Sequence, residues 1–213
     1  VQQYSSFYSD RDAEILIVVN GSTDDTGEIA RTLERELPNV RSWETPEKLG
    51  KGGAIYQGFR LAKGDTVAFT DADNSTVPSQ LDRVVTAVGP EADVALGSRW
   101  LPESVQGVPQ PLGRRIASRV FNIIVRILFG LPFRDTQCGA KAFRLSVLQP
   151  LLDKPMSTGW AFDVELIWRL RRQGARVVEV PIEWIDTSGS RLRMHRDAPA
   201  MLLELLRIRF LSD

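Results

Sequence analysis

The clearest structural signal in the sequence is the run Thr66-Val67-Ala68-Phe69-Thr70-Asp71-Ala72-Asp73. It is a short, mainly apolar segment that ends in two aspartates separated by one residue. A short apolar run bounded by turn residues is typical of a buried strand. Because ligands of open α/β sheets bind just outside the carboxyl ends of the strands, we expect Asp71 to lie where chemistry takes place.

Predicted strands and helices alternate on both sides of this run. The segment 14–20, with its apolar run at 15–19, predicts a buried parallel strand, and the turn residues 20–25 supply N-cap chemistry for a helix that reaches about Leu37. The alternation predicts an α/β fold, with a Rossmann-like, mostly parallel sheet flanked by helices. Since no repeat or linker interrupts it, residues 1–213 are interpreted as one domain. Further strands are expected at 40–44, 94–97 and 176–180, and further helices at 53–62, 78–88, 116–129, 163–173 and 199–211.

The overall composition excludes several classes of protein. Lys and Arg total 27, as do Asp and Glu, so no net field attracts nucleic acid, and we expect no nucleic-acid partner. The single cysteine, Cys138, excludes an internal disulfide framework and fits a reducing compartment. No apolar run approaches the roughly 20 residues that span a bilayer, and no signal peptide is evident. We therefore expect a chain that is soluble or lies on a membrane without crossing it.

The two aspartates at the end of the central strand are candidate metal ligands. Asp71 and Asp73 can reach one ion together, and carboxylate oxygens suit Mg²⁺ or Mn²⁺ whose coordination phosphate oxygens complete. Such an ion would neutralise a pyrophosphate leaving group. The alternative is a solvated turn whose carboxylates cap the next helix, because an isolated D-x-D pattern is a weak signal.

A glycine-rich segment at residues 48–54 is a candidate anion site. It offers glycine backbone, the lysines Lys48 and Lys51, and a helix N-terminus, all of which favour an anion. It does not match the phosphate-loop pattern, because no Ser or Thr follows the lysine. A plain glycine turn before a helix is the alternative.

A third cluster is basic. Arg99 closes another predicted strand, and Arg114, Arg115, Ser118 and Asn122 follow it. Positions 114, 118 and 122 share one helix face at i, i+4 and i+8, where Arg, Ser and Asn can all hydrogen-bond a phosphate and arginine can do so bidentately. The alternative is a surface helix with ordinary arginines. The neighbouring helix surface is unusually apolar, however, and a phosphate clamp beside an apolar surface is what a lipid phosphate would need.

Two residues with reactive side chains are interpreted as structural. Cys138 has no histidine near it in sequence, so a buried structural thiol is favoured over a nucleophile. His195 is the single histidine, and a surface position among arginines is favoured over a role as a metal ligand.

Together these segments resemble the family-2 inverting glycosyltransferases of the GT-A fold, and within them the dolichyl-phosphate glucosyltransferase and mannose synthase group. The segments at 135–139, 160–166 and 189–193 look more like the glucosyl branch. The matching segments extend over most of the chain in the family's order, at 20–26, 50–52, 71–73, 97–99, 135–139, 160–166 and 179–184.

The resemblance implies transfer of a hexose from a nucleotide sugar to a polyprenyl or dolichyl phosphate, with inversion at the anomeric carbon. UDP-glucose is the first expected donor and GDP-mannose the second. In such enzymes the acidic pair holds Mg²⁺ or Mn²⁺ and the donor pyrophosphate, while the basic cluster holds the acceptor phosphate. On this chain the resemblance implies that the donor is bound by Asn20, Lys51, Asp71 and Asp73. It implies that the acceptor phosphate is bound by Arg99, Arg114 and Ser118. The implied catalytic residues are Asp73 and Arg99.

The chain departs from the family pattern in two places. The family usually starts with a strand ending in Pro-Ala-Tyr-Asn-Glu, which is not found here, and residues 1–8 look like the end of the helix that would follow it. We therefore expect the family's N-terminal strand to be missing from this sequence. The usual Asp-Asp-Gly-Ser is Val-Asn-Gly-Ser at residues 19–22, which loses a carboxylate and leaves the base preference open.

Two amphipathic helices, within 112–130 and 195–211, are candidates for a membrane interface, with arginines towards the headgroups. They can equally bury their apolar faces in a core or a homodimer. With a lipid acceptor, we expect a cytoplasmic protein, peripheral at the cytoplasmic face of a membrane. Two other functions stay open: a haloacid-dehalogenase-like phosphatase, which also carries Asp-x-Asp after a strand, and a non-catalytic domain that binds sugar nucleotides or lipid phosphates.

Overall fold

Helices and strands alternate along the computed structural model, which describes residues 1–107, 112–185 and 194–211. The helices are α1 (Gln2–Phe7), α2 (Thr26–Glu36), α3 (Gly50–Leu61), α4 (Pro78–Thr86), α5 (Leu112–Phe129), α6 (Leu145–Leu152), α7 (Phe162–Arg172) and α8 (Met194–Leu211). The strands are β1 (Ile15–Asn20), β2 (Val40–Thr45), β3 (Thr66–Phe69), β4 (Val94–Ser98), β5 (Val105–Gln106), β6 (Lys141–Arg144), β7 (Val177–Pro181) and β8 (Glu183–Trp184).

The central sheet has the strand order β3-β6-β4-β7. The strands β3, β4 and β7 run in one direction, while β6 lies antiparallel between β3 and β4. Two parallel pairs, β1 with β2 and β5 with β8, form separate ladders. The expected α/β fold with a mostly parallel sheet is confirmed, and the structure adds one antiparallel strand at the centre, β6, which the sequence did not reveal. That strand begins with a lysine and has four residues, too few for a clear pattern.

Both faces of the central sheet are covered, as the alternation of strand side chains requires. Leu96 and Phe143 point into a core built with α3, α5, α6, α7 and α8. Ala95 and Ala142, their neighbours along the strands, point to the opposite face and pack against α4. These small residues let the helix approach the sheet closely.

A three-way ion pair ties the strands together at one edge of the sheet. Asp93, just before β4, accepts hydrogen bonds from Arg144 at the end of β6 and from Arg176 before β7, with Arg176 Nη2 at 3.0 Å. The hydrogen bonds from Arg176 hold the pKa of Asp93 well below its ordinary value. The register of three strands therefore depends partly on one carboxylate.

The helices α5 and α8 pack against each other. The sequence predicted that both are amphipathic, which is confirmed for α5, whereas the apolar residues of α8 lie on several sides of the helix. Each buries one side, with Val125 of α5 and Leu205 of α8 fully inside. The outer sides carry large apolar residues in the open: Ile116, Val120, Ile123 and Ile127 on α5, and Leu202, Leu203, Leu206 and Phe210 on α8. Among the described residues, no helix is long and apolar enough to cross a membrane.

Candidate active site

The predicted acidic pair lies where the sequence placed it, on the turn after β3. Asp71 is partly exposed, and its Oδ1 atom lies 2.7 Å from Nζ of Lys51 at the start of α3. Asp73 is exposed, and its Oδ1 atom accepts a hydrogen bond of 2.9 Å from the backbone N–H of Ser75. The structure thus joins two of the predicted donor-side residues, Lys51 and Asp71, in one ion pair.

Gly139 allows Asp71 to take this position. A Cβ atom built on Gly139 would lie only 2.0 Å from Oδ2 of Asp71, whereas real Cβ atoms essentially never approach closer than 3.0 Å. In the loop before β6, the backbone of Gly139 therefore packs directly against the Asp71 carboxylate, with no room for a side chain between them. Sequence reasoning matched Gly139 to the family but could not see this contact, because the residues are 68 positions apart.

The glycines of the 48–54 segment have a packing role. The N–H of Gly52 donates to the carbonyl of Thr158 at 3.0 Å, and a Cβ atom on Gly52 would lie 2.5 Å from Cβ of Phe162. Gly50 adopts a positive φ of 74° against the same carbonyl. The start of α3 is therefore held tightly against residues 157–162, which also brings Trp160 to 5.7 Å from the Lys51 ammonium.

Asn20, the other predicted donor-side residue, supports the same segment. Its Oδ1 atom accepts a hydrogen bond of 3.1 Å from the backbone N–H of Leu49, which joins the end of β1 to the start of α3. The donor-binding roles of Asn20, Lys51, Asp71 and Asp73 remain predictions.

The arginine at the end of β4 is held by a buried carboxylate. Nε and Nη2 of Arg99 donate to the two oxygens of Asp135 at 2.7 and 2.9 Å, and the Arg99 backbone N–H donates to the same group. Burial has the largest single effect and raises the pKa of Asp135, but the charge of Arg99 and the hydrogen bonds that Arg99 donates together keep that pKa below its ordinary value. Burial also opposes the charge of Arg99, yet Asp135, with a smaller contribution from Asp71, raises the pKa of Arg99. Arg99 is thus held as a cation, and the negative charge of nearby Asp71 adds to the rise in its pKa.

Beside Arg99 lies an open cavity of about 350 Å³ between β4, the loop after it, and α5. Arg119 stands over the Trp100 ring, with its guanidinium carbon 4.2 Å from the ring centroid. Sequence reasoning included Arg115 in the basic cluster but gave the phosphate-binding roles on this helix to Arg114 and Ser118, although the i, i+4 spacing of Arg115 and Arg119 was a usable signal. The cavity is lined by Arg99, Trp100, Leu101, Ser104, Gln106, Arg115 and Arg119.

The helix face proposed for phosphate binding is partly corrected. Asn122 is buried, and its Oδ1 atom accepts hydrogen bonds of 3.2 Å from the N–H and the hydroxyl of Thr136, so its assignment as a phosphate ligand is wrong. It faces inward because its amide satisfies buried polar groups of the loop before β6. Ser118 is half-exposed, and its carbonyl accepts from Asn122. The side chain of Arg114 lies outside the described residues, so its role and that of Ser118 remain predictions.

The buried ionisable groups near the site are structural. Cys138 is fully buried, and burial raises the pKa of its thiol to about 11, which confirms that it is not an activated nucleophile. The buried ammonium of Lys141 donates to the Cys138 carbonyl at 2.6 Å and to Asp163 at 3.0 Å. The side chain of His195 lies outside the described residues.

The donor set at the acidic turn fits an ion that shares its coordination with a substrate. Asp71 and Asp73 offer carboxylate oxygens, and no group of three or more His, Cys, Asp or Glu residues in the described ranges could hold a metal without further ligands. Mg²⁺ is usually bound in this way, by one or two carboxylates together with substrate phosphates.

Known proteins are similar to this chain in both sequence and fold. The family model described as Glycosyl transferase family 2 matches residues 2–152. The chain is 34% identical over 208 residues to Glycosyltransferase AglD of Haloferax volcanii, covering 97% of the chain and 33% of that protein. It is 37% identical over 179 residues to an undecaprenyl-phosphate mannosyltransferase of Micrococcus luteus, covering 82% of the chain and 73% of the relative. A dolichyl-phosphate beta-glucosyltransferase of Saccharomyces cerevisiae is 29% identical over 214 residues, covering 92% and 64% respectively.

The fold is also found in solved structures. Glucosyl-3-phosphoglycerate synthase from Mycobacterium tuberculosis, in complex with Mn²⁺, UDP-glucose and phosphoglyceric acid, superposes with a TM-score of 0.65 at 18% identity, covering 98% of the chain and 74% of that structure. The mixed sheet flanked by helices is therefore of the GT-A type. From the matched model, the relatives and this fold, it follows that the chain belongs to glycosyl transferase family 2.

Proposed function

We propose that this chain is a glycosyltransferase domain that moves a hexose from a nucleotide sugar to the phosphate of a polyprenyl lipid, with inversion at the anomeric carbon. The observation that carries the proposal is the position of Arg99. It lines a cavity together with Arg115 and Arg119, and it is near enough to Asp71 for that carboxylate to contribute to its raised pKa. A donor pyrophosphate at the turn and an acceptor phosphate in the cavity would then meet at one point.

The acceptor needs no general base in this scheme. A phosphate monoester has a second pKa near 6, so it is already a dianionic nucleophile at neutral pH. Its oxygen would bond to the anomeric carbon while the bond from that carbon to the nucleotide breaks, and the electron pair leaves with the pyrophosphate. Positioning and charge neutralisation are then the main sources of rate enhancement.

The residues divide into a donor side and an acceptor side. Asp71 and Asp73 would hold Mg²⁺ or Mn²⁺, which supplies Lewis-acid neutralisation of the leaving pyrophosphate. Lys51 orients Asp71 through its 2.7 Å contact, and Asn20 anchors the segment that carries Lys51. On the acceptor side, Asp135 holds Arg99 in place, and Arg114 and Ser118 are the further expected phosphate ligands.

UDP-glucose is the donor we propose first, because the segments at 135–139, 160–166 and 189–193 resemble the glucosyl branch. GDP-mannose is second, since mannosyltransferases are also among the relatives. The test is transfer of labelled glucose or mannose from each donor to a short-chain polyprenyl phosphate by the intact protein, with Mg²⁺, Mn²⁺ or EDTA. Metal-dependent product from UDP-glucose, lost in Asp73→Ala, is expected. Product from neither donor would overturn the proposal.

The same function implies contact with a membrane at the cytoplasmic face. The helices α5 and α8 pack against each other, and both expose large apolar residues and carry exposed arginines such as Arg126 and Arg207, a composition that suits a surface in contact with lipid headgroups. Retention on anionic vesicles, reduced by Ile127→Asp, is the expected result. If the protein instead forms a homodimer in solution and leaves vesicles untouched, this surface is a subunit interface.

A further inference from the structure

Trp160 presents a large apolar ring to solvent beside the acidic turn. Of the five tryptophans, all of which lie within the described ranges, it alone is exposed, with 42% of its surface accessible. The Lys51 ammonium lies 5.7 Å from the centre of the Trp160 ring and 2.7 Å from Oδ1 of Asp71. The ring and the Asp71 carboxylate thus share one neighbour, so the ring borders the place where the donor pyrophosphate is proposed to bind.

The loop that carries Trp160 is held in place by a carboxylate of α8. Glu204 accepts a hydrogen bond from the hydroxyl of Ser157 and another, of 3.3 Å, from the backbone N–H of Ala161. Gly159 leaves no room for a side chain, since a Cβ atom there would lie 2.5 Å from Oε1 of Glu204. A ring on a loop that is already ordered adds little ordering cost when a ligand packs on it.

The chemistry of the ring suits the hexose of a nucleotide sugar. A hexose carries hydroxyl groups at its edge and C–H groups on its faces. The face of an aromatic ring is partly negative and attracts positively polarised C–H groups, and the contact also removes apolar surface from water. Because the hexose is bonded directly to the pyrophosphate, a pyrophosphate held at the acidic turn brings the hexose close to Trp160. The nucleobase lies further away, since the ribose and a phosphate separate it from the sugar.

We propose that Trp160 contacts the hexose of the nucleotide sugar with one face of its ring, and that Glu204 is the positioning residue that holds it there. This inference rests on the proposed hexose transfer and deepens it, because it assigns a residue to the sugar itself. Aromatic walls with a few polar groups beside them are usual in small-molecule sites. Here the polar groups are the Lys51 ammonium and the Asp71 carboxylate.

Calorimetric titration of the intact protein in the presence of Mn²⁺ tests the assignment without turnover and without lipid. UDP-glucose is compared with UDP, and GDP-mannose with GDP. We expect Trp160→Ala to raise the Kd of the nucleotide sugar about tenfold. The Kd of the free nucleotide should change less than about twofold, because it lacks the hexose. Trp160→Phe keeps an aromatic face and should stay within about threefold of the wild type.

Phe7→Ala is the matched control for loss of an exposed ring. Phe7 is 38% exposed, and its ring lies against Tyr8 and Arg11. The control should bind every ligand as the wild type does, and equal melting temperatures would show that all variants fold.

The role of Glu204 is tested by Glu204→Ala, alone and combined with Trp160→Ala. If Glu204 acts by holding Trp160, the single variant loses affinity for the nucleotide sugar but not for the free nucleotide. The double variant should then bind no more weakly than Trp160→Ala alone. Additive losses would mean that Glu204 does not act through Trp160.

The outcomes separate failure of this assignment from failure of the proposed function. Equal losses for nucleotide sugar and free nucleotide would mean that Trp160 binds the base, and unchanged affinities would mean that it does not contact the donor; both results overturn the assignment. If donor affinity is unchanged but retention on anionic vesicles falls, Trp160 is a membrane anchor and the assignment is wrong. A hexose-dependent loss supports the assignment even if no sugar reaches a polyprenyl phosphate, whereas a wild-type protein that binds neither nucleotide sugar overturns both proposals.

Discussion

Replacing Gly139 with alanine tests whether bare backbone is needed to position the acidic turn. The added Cβ atom would lie 2.0 Å from the nearest Asp71 oxygen and 2.5 Å from its carboxyl carbon. Since real contacts of this kind stay beyond 3.0 Å, the carboxylate or the loop must move by about 1 Å. A displacement of about 1 Å in a reacting group can cost roughly 100-fold in rate. That corresponds to about 2.7 kcal/mol of activation free energy.

The substitution should affect activity far more than folding. The Asp71 side chain is 37% exposed, so it can rotate into solvent without opening a cavity in the core. We therefore expect a loss of about 1 kcal/mol or less in the free energy of unfolding. Sugar transfer under saturating donor and acceptor measures the rate, and thermal unfolding measures the stability. Gly89→Ala is the matched control, because a Cβ atom there meets nothing within 4 Å.

A double substitution decides whether the effect acts through Asp71. If it does, Gly139→Ala should cost little more once Asp71→Asn is already present, so the two losses will not add. Additive losses would mean that Gly139 matters for another reason. A Gly139→Ala protein within threefold of wild-type activity would refute the argument that this contact positions the carboxylate.

Three further predictions concern buried or tethering side chains. Asp93→Asn should cost about 2 kcal/mol of stability at pH 7, because the Asp93 carboxylate accepts hydrogen bonds from charged arginines. Since the pKa of Asp93 is lowered in the folded protein, this loss should be full above the ordinary aspartate pKa near 4 and should shrink as the pH falls below it. Urea unfolding at several pH values measures this dependence. Lys141→Met should lower the free energy of unfolding by about 3–5 kcal/mol, because it leaves the Asp163 carboxylate buried without its partner. Adding Asp163→Asn should restore much of the lost stability. A double variant as unstable as Lys141→Met alone would contradict the ion-pair explanation. Glu204→Ala should raise the nucleotide-sugar KM about tenfold, because this α8 carboxylate accepts from the backbone and hydroxyl groups of the loop that carries Trp160, and an unchanged KM would mean that the loop does not contribute to the donor site.

The sequence alone was sufficient for the features that local pattern controls. The apolar run at residues 66–69 followed by Asp71 and Asp73 predicted both the strand and the acidic turn, because burial and turn chemistry act over a few neighbouring residues. The alternation of strands and helices predicted the α/β class for the same reason. The buried, inert thiol of Cys138 was also predictable, since no activating group lies near it in sequence.

The tertiary structure decided what depends on residues far apart in the chain. Insertion of β6 between β3 and β4 brings Gly139 against Asp71, and nothing local to either residue signals that contact. On α5, Arg119 and Asn122 are an i, i+3 pair only about 60° apart around the helix axis, yet Arg119 lines the cavity and Asn122 is buried. Helical periodicity shows which residues share a face, but only the packing of the helix against the sheet decides which face is buried and which one lines the site.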